Sequence, residues 1–297
     1  MPVELTPDIL ARISKLELNA RQIVDGYLAG RHRSPRQGIA VEFAQHREYA
    51  PGDDIKHLDW KVFARTERYH LKQYEQETNL VAWLIVDASE SMAVGTVNHG
   101  SEAITKYDVA STLAAALSYL VIQQADTAGL VTFAEAIRTT LKPSSQQSQV
   151  RDILRTLSEG VTKRPSNAGK VLRDLGGRLG RRSVIFVFSD LLDELDDFVT
   201  GLRILRSQKH EVVVFQVLDA AEIDFPFRHP TLFRGLEELP ELSTDPLSIR
   251  EHYLKEFASH QSAVESACRT MATDLVRIRT DDNLAQVLAA YLQKRMG

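Results

Sequence analysis

The sequence predicts an α/β fold built on a doubly wound, mostly parallel, Rossmann-like sheet, and three observations carry that reading. From Asn79 onward, apolar runs of strand length alternate with segments of helical period. The run VAWLIV from Val81 to Val86 is apolar throughout, as a strand covered on both faces must be. Two of these runs stop abruptly at small oxygen-bearing side chains, in DASES and in SD. Ligands of open α/β sheets gather beyond the carboxyl ends of the strands, so these endings fall where a site is expected.

Taken in order, apolar positions Ile9, Leu10, Ile13, Leu16, Ile23 and Leu28 predict an N-terminal helix over about 6–29. GRHRSPRQG reads as a loop. The charged and aromatic segment from Ile39 to Glu77 lacks a sustained helical period and predicts short strands and turns, an arm attached to a core. Strands are then expected at Val81–Val86, Ala128–Phe133, Ser183–Phe188 and Glu211–Leu218. Helices are expected at Tyr107–Gln124, Gln149–Leu157, Gly169–Leu179 and Asp193–Gln208, with a hairpin around Glu135. The stretch FPFRHPTLFRGLEELPEL is Pro-rich and reads as irregular. A long helix from Pro246 to Ala272, a short strand LVRIRT and an amphipathic helix from Asn283 to Lys294 complete the chain.

Composition narrows the function classes. A chain of 297 residues, 43% hydrophobic and 26% charged, can bury a full core. Its net charge of −4 gives no general attraction to nucleic acid or anionic membrane. Cys268 is the single cysteine, which excludes an intrachain disulfide and suits a reducing compartment. MPVELTPDIL has neither the basic start nor the apolar core of a secretory signal. The uncharged run Val109–Ala125 carries Ser, Thr and Gln and falls short of the roughly 20 apolar residues of a membrane span. A soluble, cytoplasmic protein with no transmembrane segment and no nucleic-acid partner is expected.

Asp87, Ser89 and Ser91 alternate along a strand-to-helix turn and can aim their oxygens at one point. Hard oxygen ligands of low total charge suit Mg²⁺ better than Zn²⁺, which prefers nitrogen and sulfur. FVFSDLLD ends a second strand at Ser189 and Asp190, at the same sheet edge, and the loop RPSNAGK offers Ser166 to the same crevice. The alternative for Asp87, Ser89 and Ser91 is that they cap a helix.

DASES followed by SD at the end of a later strand resembles the von Willebrand factor A fold with its metal-ion-dependent adhesion site. REYAPGDDIKHLDWKVFART, with FRGLEELPEL and DPLSIREHY further on, resembles the family known as domain of unknown function fifty-eight, over nearly the whole chain from Gly30. The resemblance implies a von Willebrand factor A-like domain at 79–220, preceded by a helix and arm at 1–78 and followed by a C-terminal helical extension at 221–297. Carried over by position, it implies a metal set of Asp87, Ser89, Ser91, Ser166 and Asp190, for Mg²⁺ with Mn²⁺ or Ca²⁺ as substitutes. The departure is Ser166-Asn167, where the family tends to Thr-Asp. In such sites an open metal position accepts a carboxylate from a partner protein, so the implied function is non-enzymatic binding. Family members often accompany MoxR-type AAA+ ATPases, which implies an adaptor or chaperone-like role in assembling other proteins.

Other signals are weaker. A Mg²⁺-dependent phosphohydrolase would use Asp87 or Asp190 as nucleophile, but aspartyl-phosphate enzymes usually carry a second Asp two residues on, where this chain has Ser89. NAGKVL lacks the Gly that a phosphate loop needs at position 164, which is Arg. The His residues form no HExxH set, RHRSPR is followed by acidic residues, and Cys268 reads as a buried apolar residue. In the arm, Pro51 and Gly52 supply a turn that Asp53 and Asp54 can close. Arg47, Asp53, Asp54, Asp59, Trp60 and Arg65 suit docking of the arm on the sheet domain and contact with a partner equally well.

Overall fold

The structure is a computed structural model that describes residues 7–31, 45–48, 70–73, 80–99, 102–180, 182–236 and 240–296. The chain divides into two compact units, Met1–His32 with Leu80–Gly297, and Arg33–Asn79. In the smaller unit, strands β1 (Gln45–Glu48) and β2 (His70–Gln73) pair antiparallel. The N-terminal helix α1 (Pro7–Arg31) and the C-terminal elements belong to the larger unit. This division differs from the one drawn at 78 and 220, because α1 buries Leu16, Ala20, Ile23 and Val24 in the sheet domain's own core.

The larger unit is built on strands β3 (Val81–Asp87), β6 (Thr127–Phe133), β7 (Ile137–Ser144), β8 (Val184–Ser189), β9 (Glu211–Leu218) and β12 (Asp274–Arg279). Their order in the sheet is β12-β9-β8-β3-β6-β7, parallel throughout except for the β6/β7 hairpin at one edge. Counted along these strands, the order is the doubly wound one, and the crevice of such a sheet opens where the winding reverses. Here that point lies between β3 and β8.

Alternation along the strands sorts the core into two layers. Leu84, Val86, Phe186, Phe188, Val213 and Phe215 face one side. There α2 (Lys106–Gln123), α3 (Ser148–Leu157), α1 and α8 (Leu284–Met296) cover them. Trp83, Ile85, Ile185, Val187, Val212 and Val214 face the other side. There α4 (Ala168–Gly176), α5 (Leu195–Ser207) and α7 (Pro246–Thr270) cover them, α7 through Val264 and Cys268. With helices on both faces, the central strands β3 and β8 are buried along nearly their whole length, as VAWLIV predicts, while the edge strands β7 and β12 are only partly buried. The architecture is von Willebrand factor A-like.

Two features were not anticipated. Strands β4 (Val97–His99) and β5 (Glu102–Ile104) form a small antiparallel pair between β3 and α2. Strands β10 (Thr231–Phe233) and β11 (Leu242–Thr244) form another, within and at the end of the stretch read as irregular, after the short helix α6 (Ala220–Asp224). Strands of three residues carry too little periodicity to be seen.

Candidate functional site

Asp87 ends β3 and is fully buried. Its Oδ2 accepts hydrogen bonds from the hydroxyls of Ser189 (2.7 Å) and Ser166 (2.8 Å), and its Oδ1 accepts the Ser89 N–H (2.9 Å). The Oγ atoms of Ser89 and Ser91 lie 3.1 Å apart. Burial, and then the charge of Asp190, raise the Asp87 pKa to about 7, although hydrogen bonds from Ser189 and Ser89 pull the other way. Helix capping does not account for the serines. The 3₁₀ turn Ser91–Ala93 has Glu90 as its N-cap with no side-chain cap bond, and α2 is capped by Thr105 in a capping box with Asp108.

Three loops bring the partners together. After β8, Leu191 adopts a left-handed backbone with φ of 53°, an uncommon state for a branched residue. That turn points the Leu191 N–H at Ser189 Oγ (3.2 Å) and the Leu192 N–H at Asp190 Oδ1 (3.3 Å), while His260 Nε2 contacts the Leu191 carbonyl (2.7 Å). Ser166 precedes Asn167, the N-cap of α4, whose side chain accepts the Lys170 N–H (2.9 Å). Asn167 therefore caps α4, a role that Asp would fill as well. Asp193 holds the same helix end by accepting the Ala168 N–H (3.0 Å), and burial raises its pKa despite that bond.

The sequence reading missed the cation beside these carboxylates. Lys106, the first residue of α2, is fully buried, and its Nζ donates to Asp190 Oδ2 (2.8 Å) and to Glu222 Oε1 (2.6 Å). Burial opposes its charge, but Asp190 and Glu222 outweigh that and raise its pKa. A cation at a helix N-terminus faces the positive end of the dipole, so its partners must supply what holds it there. Glu222 is fixed by accepting the Asp219 N–H (2.8 Å). Asp219 accepts hydrogen bonds from Thr96, Ala221 and Thr280, which outweigh burial and keep its pKa below the ordinary carboxylate range. Of these additions, only the DAAE capping box at Asp219 and Glu222 left a visible signal in the sequence.

Asp87, Ser89, Ser91, Ser166 and Ser189 thus gather at the carboxyl ends of β3 and β8, and Asp190 sits beside them on Lys106. Among the described residues, no group of three or more His, Cys, Asp or Glu side chains has metal-holding geometry. A cation here would depend on hydroxyl oxygens. The donor set fits a hard one: an octahedral Mg²⁺ site with arms of about 2.1 Å has edges of about 3 Å. The Ser89 and Ser91 hydroxyls, 3.1 Å apart in hydrogen-bond contact, are near enough to share such an edge, and Ser166 is brought beside them by its hydrogen bond to Asp87 (2.8 Å). Of the arm residues considered for docking, Arg47 pairs with Leu71 across β1 and β2. Asp53, Asp54, Asp59, Trp60 and Arg65 lie outside the described residues.

Residues 45–263 match the family model described as protein of unknown function DUF58. The chain belongs to the DUF58 family. It is 29% identical to the uncharacterized protein Rv1480 of Mycobacterium tuberculosis, over 98% of this chain and 91% of that one. Among solved structures it is similar to the conserved hypothetical protein BatB from Bacteroides thetaiotaomicron, at 16% identity and a TM-score of 0.47, covering 73% of this chain and 98% of that one. An aerotolerance-related membrane protein from Bacteroides fragilis aligns at 17% identity and a TM-score of 0.47, covering 72% and 97%. The SpRpn10 VWA domain aligns at 12% identity and a TM-score of 0.38, covering 71% and 94%. At these scores the strand order itself carries the fold assignment of this DUF58 protein. The expected cytoplasmic location is corrected here, because structural neighbours include a protein described as a membrane protein. No helix among the described residues is long and apolar enough to cross a membrane, which bears only on those helices.

Proposed function

We propose that this DUF58 protein is a non-enzymatic interaction module that engages a partner protein through a divalent cation, Mg²⁺ with Mn²⁺ or Ca²⁺ as substitutes. Ser89, Ser91 and Ser166 would hold the cation, with Asp87 and Asp190 behind them. The observation that supports this best is the gathering of three hydroxyls, Ser89, Ser91 and Ser166, around a buried carboxylate at the winding reversal of the sheet. A bound Mg²⁺ would supply an open position for an acidic side chain of the partner. Asp87 orients the hydroxyls of Ser166 and Ser189, and the Leu191 turn holds Ser189 and Asp190 against the crevice.

The contacts of the two aspartates support binding over hydrolysis. Both Asp87 oxygens accept hydrogen bonds at zero exposure, and Asp190 is engaged by Lys106. From the family resemblance, the partner is a MoxR-type AAA+ ATPase and the role is adaptor-like or chaperone-like in complex assembly.

The test is calorimetry of Mg²⁺ and Mn²⁺ on the full chain and on Asp87→Ala, followed by binding of a purified MoxR-type ATPase in Mg²⁺ and in chelator. The variant should stay folded, with a loss of about 1–3 kcal/mol from the hydroxyls it leaves unpaired. It should lose both cation and partner. Partner binding that survives chelator and Asp87→Ala would overturn the cation-bridge reading.

A further inference from the structure

The resting cluster already contains a cation. Lys106 Nζ lies 2.8 Å from Asp190 and 2.6 Å from Glu222, with the lysine side chain at zero exposure. Its backbone is fixed as firmly as its charge: the Lys106 N–H donates to the Val94 carbonyl (2.8 Å), and Thr105 and Asp108 cap the helix it begins. Glu222 is locked by the α6 capping box, and Asp190 by the Leu192 N–H and by Gln216, whose Nε2 donates to the Asp190 carbonyl (3.0 Å). The ammonium therefore cannot swing away cheaply, since a buried cation without its partners is strongly disfavoured.

We propose that Lys106 is a tethered cation that keeps Asp190 from serving as a direct metal ligand and so holds the divalent affinity of the Ser89/Ser91/Ser166 site low. This rests on the cation reading above and deepens it by naming what regulates the site. With Lys106 on Asp190 Oδ2 and the Leu192 N–H on Oδ1 (3.3 Å), the oxygens left to a divalent ion are neutral hydroxyls and the inward-facing Asp87. Affinity in oxygen sites follows ligand charge, so such a set binds weakly by itself. A partner carboxylate then adds the missing negative charge, and cation and partner bind with positive cooperativity. The repulsion between the ammonium and an entering divalent ion acts in the same direction, in a poorly screened interior.

Mn²⁺ binding to the full chain, measured by calorimetry, tests this on wild type, Lys106→Met and Lys106→Met/Glu222→Gln. The double variant guards against misfolding, because it removes one carboxylate that the single variant leaves unpaired. Circular dichroism checks folding, and Asp87→Ala in each background checks that the ion sits at the same site. The expected result is Mn²⁺ binding at least tenfold tighter in a folded Lys106 variant than in wild type, reversed by adding Asp190→Asn. Equal affinity in wild type and a folded variant, abolished in both by Asp87→Ala, would overturn the role of Lys106 and leave the cation site standing. No Mn²⁺ binding in any folded chain would overturn the cation site and this inference together.

Discussion

At the residue scale, the buried groups that matter most are those whose partners are satisfied only in one protonation state. His210 precedes β9 at the amino ends of the strands, away from the Asp87 crevice, and is 1% exposed. Its Nδ1 accepts the Ser183 N–H (3.2 Å), which requires that nitrogen to carry no proton. Burial accordingly lowers its pKa from the ordinary 6.5. Above that value the ring is neutral in the folded and unfolded chains alike, and His210 adds no pH dependence. As pH falls below it, the unfolded chain takes up a proton that the folded chain refuses, so stability declines until the lower folded pKa is reached. His210→Asn keeps an acceptor for Ser183 and removes the titration. Its Tm should therefore drop less than that of the wild type between about pH 7.5 and about pH 5.5. Parallel Tm profiles in the two proteins would contradict this account. Lys106 is the converse case, a buried base held in its charged form, and its partners Asp190 and Glu222 lie 84 and 116 residues away in sequence. No local pattern encodes that pairing, which is why the Asp and Ser endings of the strands were legible and the lysine between them was not.

At the scale of elements, the crossing of α4 and α5 governs how Ser166 is presented, because α4 starts two residues after it. The crossing is close. A Cβ on Gly169 would lie 2.6 Å from the Phe198 amide nitrogen, and one on Gly201 would lie 2.7 Å from the Leu172 Cβ. Backbone cannot yield as a flexible side chain can, so Gly169→Ala should push the helices apart and cost about 1–3 kcal/mol. Gly180→Ala is the control, since no atom of the described residues lies within 4 Å of a Cβ there, and it should leave the Tm unchanged. A Gly169→Ala Tm equal to that of the control would show that the two helices can separate freely. The four long strands and the helices between them were legible because their apolar period matches their structure over many residues. The pairs β4/β5 and β10/β11 were not, since three residues do not establish a period. Asn167 shows a third case: its identity is a departure from the metal pattern, and the structure gives it a capping role at α4 that Asp would fill equally.

At the scale of the whole molecule, the sheet domain includes the first helix of the chain as part of its own packing. The sequence suggested grouping α1 with the arm, because hydrophobic period reports that a helix has a buried face and not which surface covers it. In the structure that face, Leu16, Ala20, Ile23 and Val24, joins the core layer that contains Leu117, Leu120 and Val121 of α2 and Leu288 and Tyr291 of α8. Arg21 stands at the edge of this contact, where its Nε donates to the Tyr119 hydroxyl (3.5 Å) and its Nη2 pairs with Glu17 (2.7 Å). Exposed pairs of this kind add little, so the stabilisation rests on the apolar stripe. Burying Leu16, Ile23 and Val24 contributes on the order of 5 kcal/mol before the entropy of ordering the helix is subtracted. A chain lacking residues 1–32 should therefore melt at a markedly lower temperature and bind a hydrophobic dye through the uncovered face of α2. The crevice residues Asp87, Ser89 and Ser189 belong to strand ends packed by other elements, so the shortened chain should keep its Mn²⁺ affinity at a temperature where it is folded. A shortened chain with wild-type Tm and no dye binding would show that α1 is dispensable to the sheet domain.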